Sequence, residues 1–202
     1  MNSGAFLRED GYICYNDYGT ITQIMHKDEI RIPGIHNVEN YLAAISAVWG
    51  YVTVEDIIKV AKSFGGVEHR IEFVRELDGV KWYNDSIATS PTRVLAGLNS
   101  FSQKLIVIAG GYDKHIPYDV LGPEVCGHVK KLFLCGATAP QIRTAVENCP
   151  MEQPEITDCG DFASAVRAAA AAAVEGDVVL MSPASASFDQ FKNFMVRGEF
   201  FK

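Results

Sequence analysis

The stretch Leu105-Ile106-Val107-Ile108-Ala109 is apolar at every position, and two runs of the same kind follow it, Leu132-Phe133-Leu134-Cys135 and Val178-Val179-Leu180-Met181. Short apolar runs of this kind are typical of strands that are buried on both faces of a sheet. Helical stretches separate them, including one that begins at Ser90-Pro91 and an alanine-rich one from about Asp161 to Gly176. The alternation predicts an α/β fold with a mostly parallel sheet and flanking helices.

A hairpin is predicted directly before this region. Residues 71–76 and 80–83 alternate in polarity around Asp78-Gly79, a dipeptide that favours a tight turn between antiparallel strands. Further upstream, residues 6–32 contain short β segments broken by turn residues, which predicts hairpins without a core of their own.

Two helices are expected between the first hairpins and the predicted sheet. One is predicted over residues 37–48, starting at Asn37, and the other begins at Thr53, where Asp56 completes a capping box, and ends before Gly65-Gly66. The glycine pair places a domain boundary there, so residues 1–66 are predicted to form one unit and residues 67–202 a second.

The composition favours a small-molecule ligand over a polyanion. The chain has 18 basic and 25 acidic residues, a net charge of −7, which disfavours a nucleic acid or an anionic membrane as the main partner. The five cysteines include no C-x-x-C pair, so neither a disulfide framework nor a zinc site is predicted. Residues 1–10 lack a basic segment followed by an apolar one, and we expect a cytoplasmic location.

Small and polar residues follow the predicted strands. In open parallel sheets, ligands bind beyond the carboxyl ends of the strands, so these segments are expected at one edge: Asn84-Asp85-Ser86, Gly110-Gly111-Tyr112-Asp113-Lys114 and Ser182-Pro183-Ala184-Ser185-Ala186-Ser187. Taken alone, Lys114 is as typical of a solvated surface lysine as of a ligand contact, and Asp85 is as typical of a turn cap. The glycines are also explained by a tight turn.

Several kinds of site are excluded because the chain lacks their sequence motifs. The chain contains neither G-x-G-x-x-G nor the phosphate-binding G-x-x-x-x-G-K-[ST], and no G-x-S-x-G elbow surrounds its serines. Its histidines lack metal-ligand spacing; they are His26, His36, His69, His115 and His128.

A longer pattern appears near the end of the chain. The segment Ser182-Pro183-Ala184-Ser185-Ala186-Ser187-Phe188-Asp189-Gln190-Phe191-Lys192-Asn193-Phe194, followed by Arg197-Gly198, resembles the C-terminal signature of D-glutamate-adding members of the Mur ligase family. Further segments recur in the same order as in that family: residues 34–40, 68–72, 84–86 with 88–89, and 110–111 with 113–114. The resemblance covers nearly the whole chain.

This resemblance implies an ATP-dependent ligase of bacterial cell-wall synthesis. Such a ligase uses ATP and Mg²⁺ to convert the carboxylate of UDP-N-acetylmuramoyl-L-alanine into an acyl phosphate, which the amine of D-glutamate then attacks. Residues 1–66 resemble the end of the central ATP-binding domain of the family. Residues 67–202 resemble its Rossmann-like third domain.

The resemblance also implies roles for individual residues. By position, three match residues that contact the nucleotide: Asn40, Arg70 and Asp85. Five match residues that hold the carboxylates of D-glutamate: Thr89, Lys114, Ser187, Phe188 and Phe194. No catalytic residue and no metal ligand is assigned within the chain.

The chain departs from the family pattern in two respects. Ile87 stands where many members have a lysine, so one positive charge near the reacting carboxylates is absent, and the role of Thr89 becomes less secure. The phosphate loop and the metal ligands are also absent, and the isolated chain is therefore predicted to be inactive.

Three alternatives remain open. The first is a Rossmann-like nucleotide-binding module without ligase chemistry, which binding of NAD(H) would reveal. The second is a sister ligase that adds another amino acid, or glutamate to folate, and here the segment from Ser182 to Arg197 discriminates. The third is a structural domain, which would have no reason to gather Lys114, Asp85 and Ser187 at one edge.

Overall fold

The computed structural model describes residues 3–202, which divide into two compact units, residues 3–65 and 66–202. Within the described range, no helix is both long and apolar enough to cross a membrane. Residues 1 and 2, which belong to the predicted first unit, lie outside the described residues.

The first unit combines a small sheet with two helices. Its strands form an antiparallel sheet in the order β1-β2-β3: β1 (Ser3–Leu7), β2 (Tyr12–Asp17) and β3 (Thr20–His26). A 3-10 turn, Lys27–Glu29, leads to α1 (Ile35–Val48) and α2 (Val54–Ser63). The predicted hairpins are thus three strands, and their core is shared with the helices, where Ile13 and Met25 pack with Ile45 and Ile57.

The second unit is built on a six-stranded sheet in the order β4-β5-β9-β6-β7-β8. Its strands are β4 (Glu72–Leu77), β5 (Val80–Asn84), β6 (Leu105–Gly110), β7 (Val129–Cys135), β8 (Glu155–Asp158) and β9 (Val178–Met181). Its helices are α3 (Pro91–Leu98), α4 (Leu121–His128), α5 (Ala139–Glu147), α6 (Phe162–Ala172) and α7 (Phe194–Phe201). Strand β4 is antiparallel to β5, and all other pairs are parallel.

Alternate residues of the central strands point to opposite faces of the sheet. On one face, Val107 and Leu180 pack in a core shared with α3, α4 and α5. On the other, Ile108 and Met181 pack against α6 and the end of α7. The predicted α/β architecture with helices on both faces is confirmed.

Local predictions at helix starts were right in part. The capping box of Thr53 and Asp56 is present. Helix α1 begins at Ile35, two residues before the predicted start, because Asn37 bonds back to the carbonyl of Pro33 from inside the first turn. Ser90 does occupy the cap position of α3, but its side chain makes no cap hydrogen bond, so Pro91 at the first turn is what favours the helix there.

A candidate ligand site at the carboxyl edge of the sheet

Loops leave the carboxyl ends of four parallel strands at one edge of the second unit. Strands β5, β9, β6 and β7 are neighbours in that order and run in the same direction, so the loops that follow them are adjacent. Backbone hydrogen bonds join the loops, from Gly110 N–H to the carbonyl of Pro183 at 2.8 Å and from Tyr112 N–H to the carbonyl of Ala186 at 2.9 Å. This arrangement places the predicted polar segments together.

Two of the predicted residues meet directly. The ammonium of Lys114, on the loop after β6, lies 2.5 Å from the carbonyl oxygen of Thr89, on the loop after β5. Lys114 is exposed and Thr89 is half-buried, so the ammonium is held over the loop while remaining accessible to solvent. The contact places a positive charge at the edge of the sheet that the sequence predicted.

Ser187 and Phe188 follow on the neighbouring loop. Ser187 is buried, and its carbonyl oxygen accepts the backbone N–H groups of Gln190 and Phe191, which begins a turn. The ring of Phe188 lies edge to face with the ring of Tyr112, with centroids 5.9 Å apart, and Phe188 is exposed. An exposed aromatic pair therefore stands beside the loop that carries Lys114.

Phe194 contacts both the loop after β5 and His69. It is the first residue of α7, its ring packs edge to face on the ring of His69 at 5.8 Å, and its carbonyl accepts the hydroxyl of Ser86 at 2.7 Å. The amide nitrogen Nδ2 of Asn84 lies 3.0 Å from Nδ1 of His69. Because an amide nitrogen donates and does not accept, Nδ1 is the acceptor, and the imidazole hydrogen is on Nε2. Helix α7 is thus joined to the start of the second unit.

The predicted nucleotide residues are split between the two units. Asn40 is an exposed residue of α1 in the first unit, whereas Arg70 and Asp85 belong to the second. The carboxylate of Asp85 is buried and accepts the hydroxyl of Ser182 at 2.7 Å and the N–H of Ile71 at 3.3 Å. In this structure the Asp85 carboxylate therefore fixes the positions of two chain segments.

The environment of Asp85 opposes its ionisation. Burial raises the pKa of the carboxyl from 3.8 to about 7, against the opposing effects of the Ser182 hydroxyl, the N–H of Ile71 and the charge of Arg70. The folded state therefore binds this proton more tightly than the unfolded state does.

We expect Asp85→Asn to remove a pH dependence of stability. Because the folded pKa lies above the unfolded one, the contribution of Asp85 is fully present below about pH 4 and is lost as the pH rises through about 7. The asparagine side chain is neutral at every pH. Between pH 5 and pH 8, the free energy of unfolding of the variant should therefore rise by at least about 1 kcal/mol relative to that of the wild type. Urea denaturation across this range measures the difference, and parallel curves for the two proteins would contradict the prediction.

A chain of buried hydroxyls supports the glycine turn after β6. The hydroxyl of Ser185 lies 2.9 Å from that of Tyr118 and 2.8 Å from that of Thr138. The Thr138 hydroxyl in turn accepts the N–H of Gly111 at 3.0 Å. The loops after β6, β7 and β9 are therefore held together by hydrogen bonds that water does not reach, where such bonds are costly to break.

Arg197 of α7 is a buried cation beneath the same loops. Its guanidinium donates to the hydroxyl and carbonyl of Ser86, both at 3.0 Å, and to the carbonyls of Ser185 at 3.0 Å and Ala186 at 3.2 Å. Burial lowers the pKa of Arg197 to about 10, so the group still carries its charge at neutral pH.

Sequence reasoning assigned no role to several of these residues. Arg197 belongs to the C-terminal segment that resembles the Mur ligase signature. An arginine beside Gly198, in a helix start that is otherwise apolar, is the sequence signal for a buried cation. The hydroxyls of Ser185 and Thr138 follow strands, but their convergence depends on the order of those strands in the sheet, which the sequence does not state.

The described residues do not provide a magnesium site. Among residues 3–202, Glu68, His69 and Glu199 bring possible ligand atoms within 4.8 Å of one another. The ammonium of Lys202 lies 2.6 Å from Glu68 and 3.1 Å from Glu199 and forms an ion pair with each carboxylate. A histidine and two lysine-paired carboxylates do not match the oxygen-rich, octahedral preference of Mg²⁺.

The sheet order and the flanking helices define an α/β domain of the Rossmann-like kind, with a candidate site at the carboxyl edge of its sheet. The family model for "Mur ligase, glutamate ligase domain" matches residues 69–185, which include the loops after β5, β6 and β7 and the start of the loop after β9. The chain belongs to the Mur ligase family.

Named relatives agree with this family. The chain is 52% identical to the UDP-N-acetylmuramoylalanine–D-glutamate ligase of Acetivibrio thermocellus, over 100% of the chain and 44% of the relative. It is 48% identical to the ligase of the same name from Ruminiclostridium cellulolyticum, with the same shares of each protein covered. The chain thus spans less than half the length of these relatives.

Solved structures show the same fold at low sequence identity. A bifunctional folylpolyglutamate synthase/dihydrofolate synthase from Yersinia pestis, complexed with AMPPNP and Mn ion, matches with a TM-score of 0.66 and 15% identity, over 99% of this chain and 45% of that one. MurF from Acinetobacter baumannii matches with a TM-score of 0.60 and 15% identity, over 97% and 45%.

Proposed function

We propose that this chain is the C-terminal part of an ATP-dependent ligase that adds D-glutamate to UDP-N-acetylmuramoyl-L-alanine in the cytoplasm. The two D-glutamate ligases, at 52% and 48% identity, support D-glutamate over the folate substrates of the fold neighbours, which are 15% to 18% identical. Residues 67–202 then present the amino acid. Residues 1–66 form the end of the ATP-binding domain. The residues proposed to contact the nucleotide are Asn40 in that domain and Arg70 and Asp85 in residues 67–202.

The observation that carries the proposal is the contact of Lys114 with the Thr89 carbonyl beside the loop of Ser187. A ligand with two carboxylates needs a cation, hydroxyls and backbone N–H groups, and these are the groups at this edge. Thr89, Lys114, Ser187, Phe188 and Phe194 would hold the two carboxylates of D-glutamate.

The chemistry divides between this chain and the rest of the ligase. ATP transfers its terminal phosphate to the substrate carboxylate, and the amine then attacks the acyl carbon, loses a proton and expels phosphate. The contribution of this chain is to hold the amine nucleophile in place. The amine then attacks the acyl carbon from a fixed position and does not depend on a chance encounter in solution. ATP and Mg²⁺ are the expected cofactors, and the metal ligands are expected outside this chain.

Titration of the ¹⁵N-labelled chain with D-glutamate tests the proposal. We expect saturable shifts at the amides of Thr89, Lys114 and Ser187, because carboxylate binding changes the field at those N–H groups. L-Glutamate has the same charge and composition but the other hand, and should give shifts at least about tenfold weaker in apparent affinity. Equal responses to both enantiomers, or shifts confined to the first unit, would contradict it.

The chain alone should bind ligands without turning them over. We expect no ATP hydrolysis above background, because the sequence holds no phosphate-binding loop and residues 3–202 hold no fitting magnesium site. Phosphate release at several magnesium concentrations measures this. Turnover that depends on metal and scales with the amount of chain would contradict it.

A further inference from the structure

The bonds of Arg197 span two neighbouring loops of the site. Ser86 belongs to the loop after β5, and Ser185 and Ala186 belong to the loop after β9, and all four contacts lie within 3.2 Å. The hydroxyl of Ser86 in turn donates a hydrogen bond to the carbonyl of Phe194, the first residue of α7. One side chain thus sets the separation of two loops and the start of α7.

Arg197 is placed there at an energetic cost. It is only 1% exposed, and the ion pairs found among residues 3–202 include none to its guanidinium. Asp189 and Cys135 favour the charged form of the guanidinium, but both lie beyond ion-pair distance from it. A charge buried without a paired carboxylate is costly, and an apolar side chain of similar volume would often be as stable.

The backbone around the guanidinium is shaped to admit it. A Cβ added at Gly111 would lie 3.2 Å from Nη1 of Arg197 and would overlap the carbonyl oxygen of Ala186, and the φ of Gly111 is +149°. The glycine therefore lets the loop after β6 approach both the guanidinium of Arg197 and the Ala186 carbonyl that this guanidinium binds.

We propose that Arg197 is a positioning residue that sets the spacing of the loops after β5 and β9, and so the length of dicarboxylate that the site accepts. The inference rests on the proposed function and adds one assignment: Thr89 and Lys114 hold one carboxylate, and Ser187 holds the other. A fixed spacing favours the five-carbon glutamate over the four-carbon aspartate, because only one length satisfies both groups of donors.

Arg197→Lys keeps the charge but replaces the planar fork by a single ammonium, which cannot reach both loops with the same geometry. We expect amide hydrogen exchange of Ser86 and Tyr112 to speed up by at least about tenfold, while amides of β7 are unchanged. D-Glutamate affinity should fall about tenfold, and the preference for D-glutamate over D-aspartate should fall to less than about threefold. Arg143→Lys is the matched control, since Arg143 is bonded to Glu147 on its own helix.

Each result decides for or against the inference. Unchanged exchange at Ser86 and Tyr112, or a weakened affinity with an unchanged glutamate preference, would overturn it. If wild type shows no response to D-glutamate, the proposed function fails, and faster loop exchange in Arg197→Lys then supports the positioning role alone. If the variant does not fold, the Nε–H resonance of wild-type Arg197 decides, since slow exchange with water supports the buried fork and fast exchange refutes it.

Discussion

In a full-length ligase that carries this chain, Lys114→Ala is expected to raise the half-saturating D-glutamate concentration by about ten- to a hundredfold. A charge-assisted hydrogen bond to a ligand carboxylate contributes roughly 1.5–3 kcal/mol, and the lost donor is replaced only by water. The position of the ammonium, 2.5 Å from the Thr89 carbonyl, directs the effect to the amino acid. The half-saturating ATP and UDP-sugar concentrations should change far less, which steady-state titration of each substrate measures.

Two further variants sharpen this test. Lys114→Arg should recover part of the loss, because a planar fork replaces a compact point charge in a site shaped for lysine. Lys131→Ala is a matched control, since Lys131 pairs with Glu155 near the start of β7, at the other edge of the sheet. An unchanged D-glutamate dependence with a weakened ATP dependence would assign Lys114 to the nucleotide, and Thr89 and Ser187 would remain for the substrate.

Gly110→Ala is expected to destabilise the second unit by roughly 2–5 kcal/mol. Two effects add up: the backbone angles at this position are unfavourable for alanine, and the new Cβ would overlap a neighbouring backbone atom. The φ of Gly110 is +113°, a conformation that side chains rarely adopt, and an added Cβ would overlap the carbonyl oxygen of Cys135. Neither group can move without disturbing the pairing of β6 with β7. Chemical denaturation measures the loss.

Gly127 provides the control for this substitution. It lies in α4, and a Cβ added there would meet nothing within 4 Å. Gly127→Ala should therefore leave stability unchanged or raise it by up to about 1 kcal/mol, since alanine favours a helix. Equal effects of the two substitutions would mean that the turn after β6 tolerates a side chain.

The centre of the sheet was predictable because β6, β9 and most of β7 are continuous apolar runs. Val107 and Leu180 are buried on one face and Ile108 and Met181 on the other, so both faces required apolar residues and left a clear signal in the sequence. Strand β8 is a short edge strand, partly exposed, and lacks that signal. The start of α1 was misplaced because Asn37 bonds backward from within the helix, a choice that residue type alone does not reveal.

The location of the site was also predictable, but its internal support was not. Parallel strands bring their following loops to one edge, so the closeness of Lys114 and Thr89 follows from the fold class. The contacts of Arg197 with Ser86 join residues 111 positions apart, and they exist only because β5 and β9 are neighbours in the sheet. The roles of the eight predicted site residues remain predictions for the experiments above.

The guanidinium of Arg197 has a consequence for how the binding site can diversify. Three of its four bonds go to main-chain carbonyls, which every amino acid possesses, and only the Ser86 hydroxyl depends on residue identity. Replacements at positions 185 and 186 that keep the path of the chain would retain this anchor whatever their side chains. The side chains around this anchor can therefore change while the spacing of the two loops is retained.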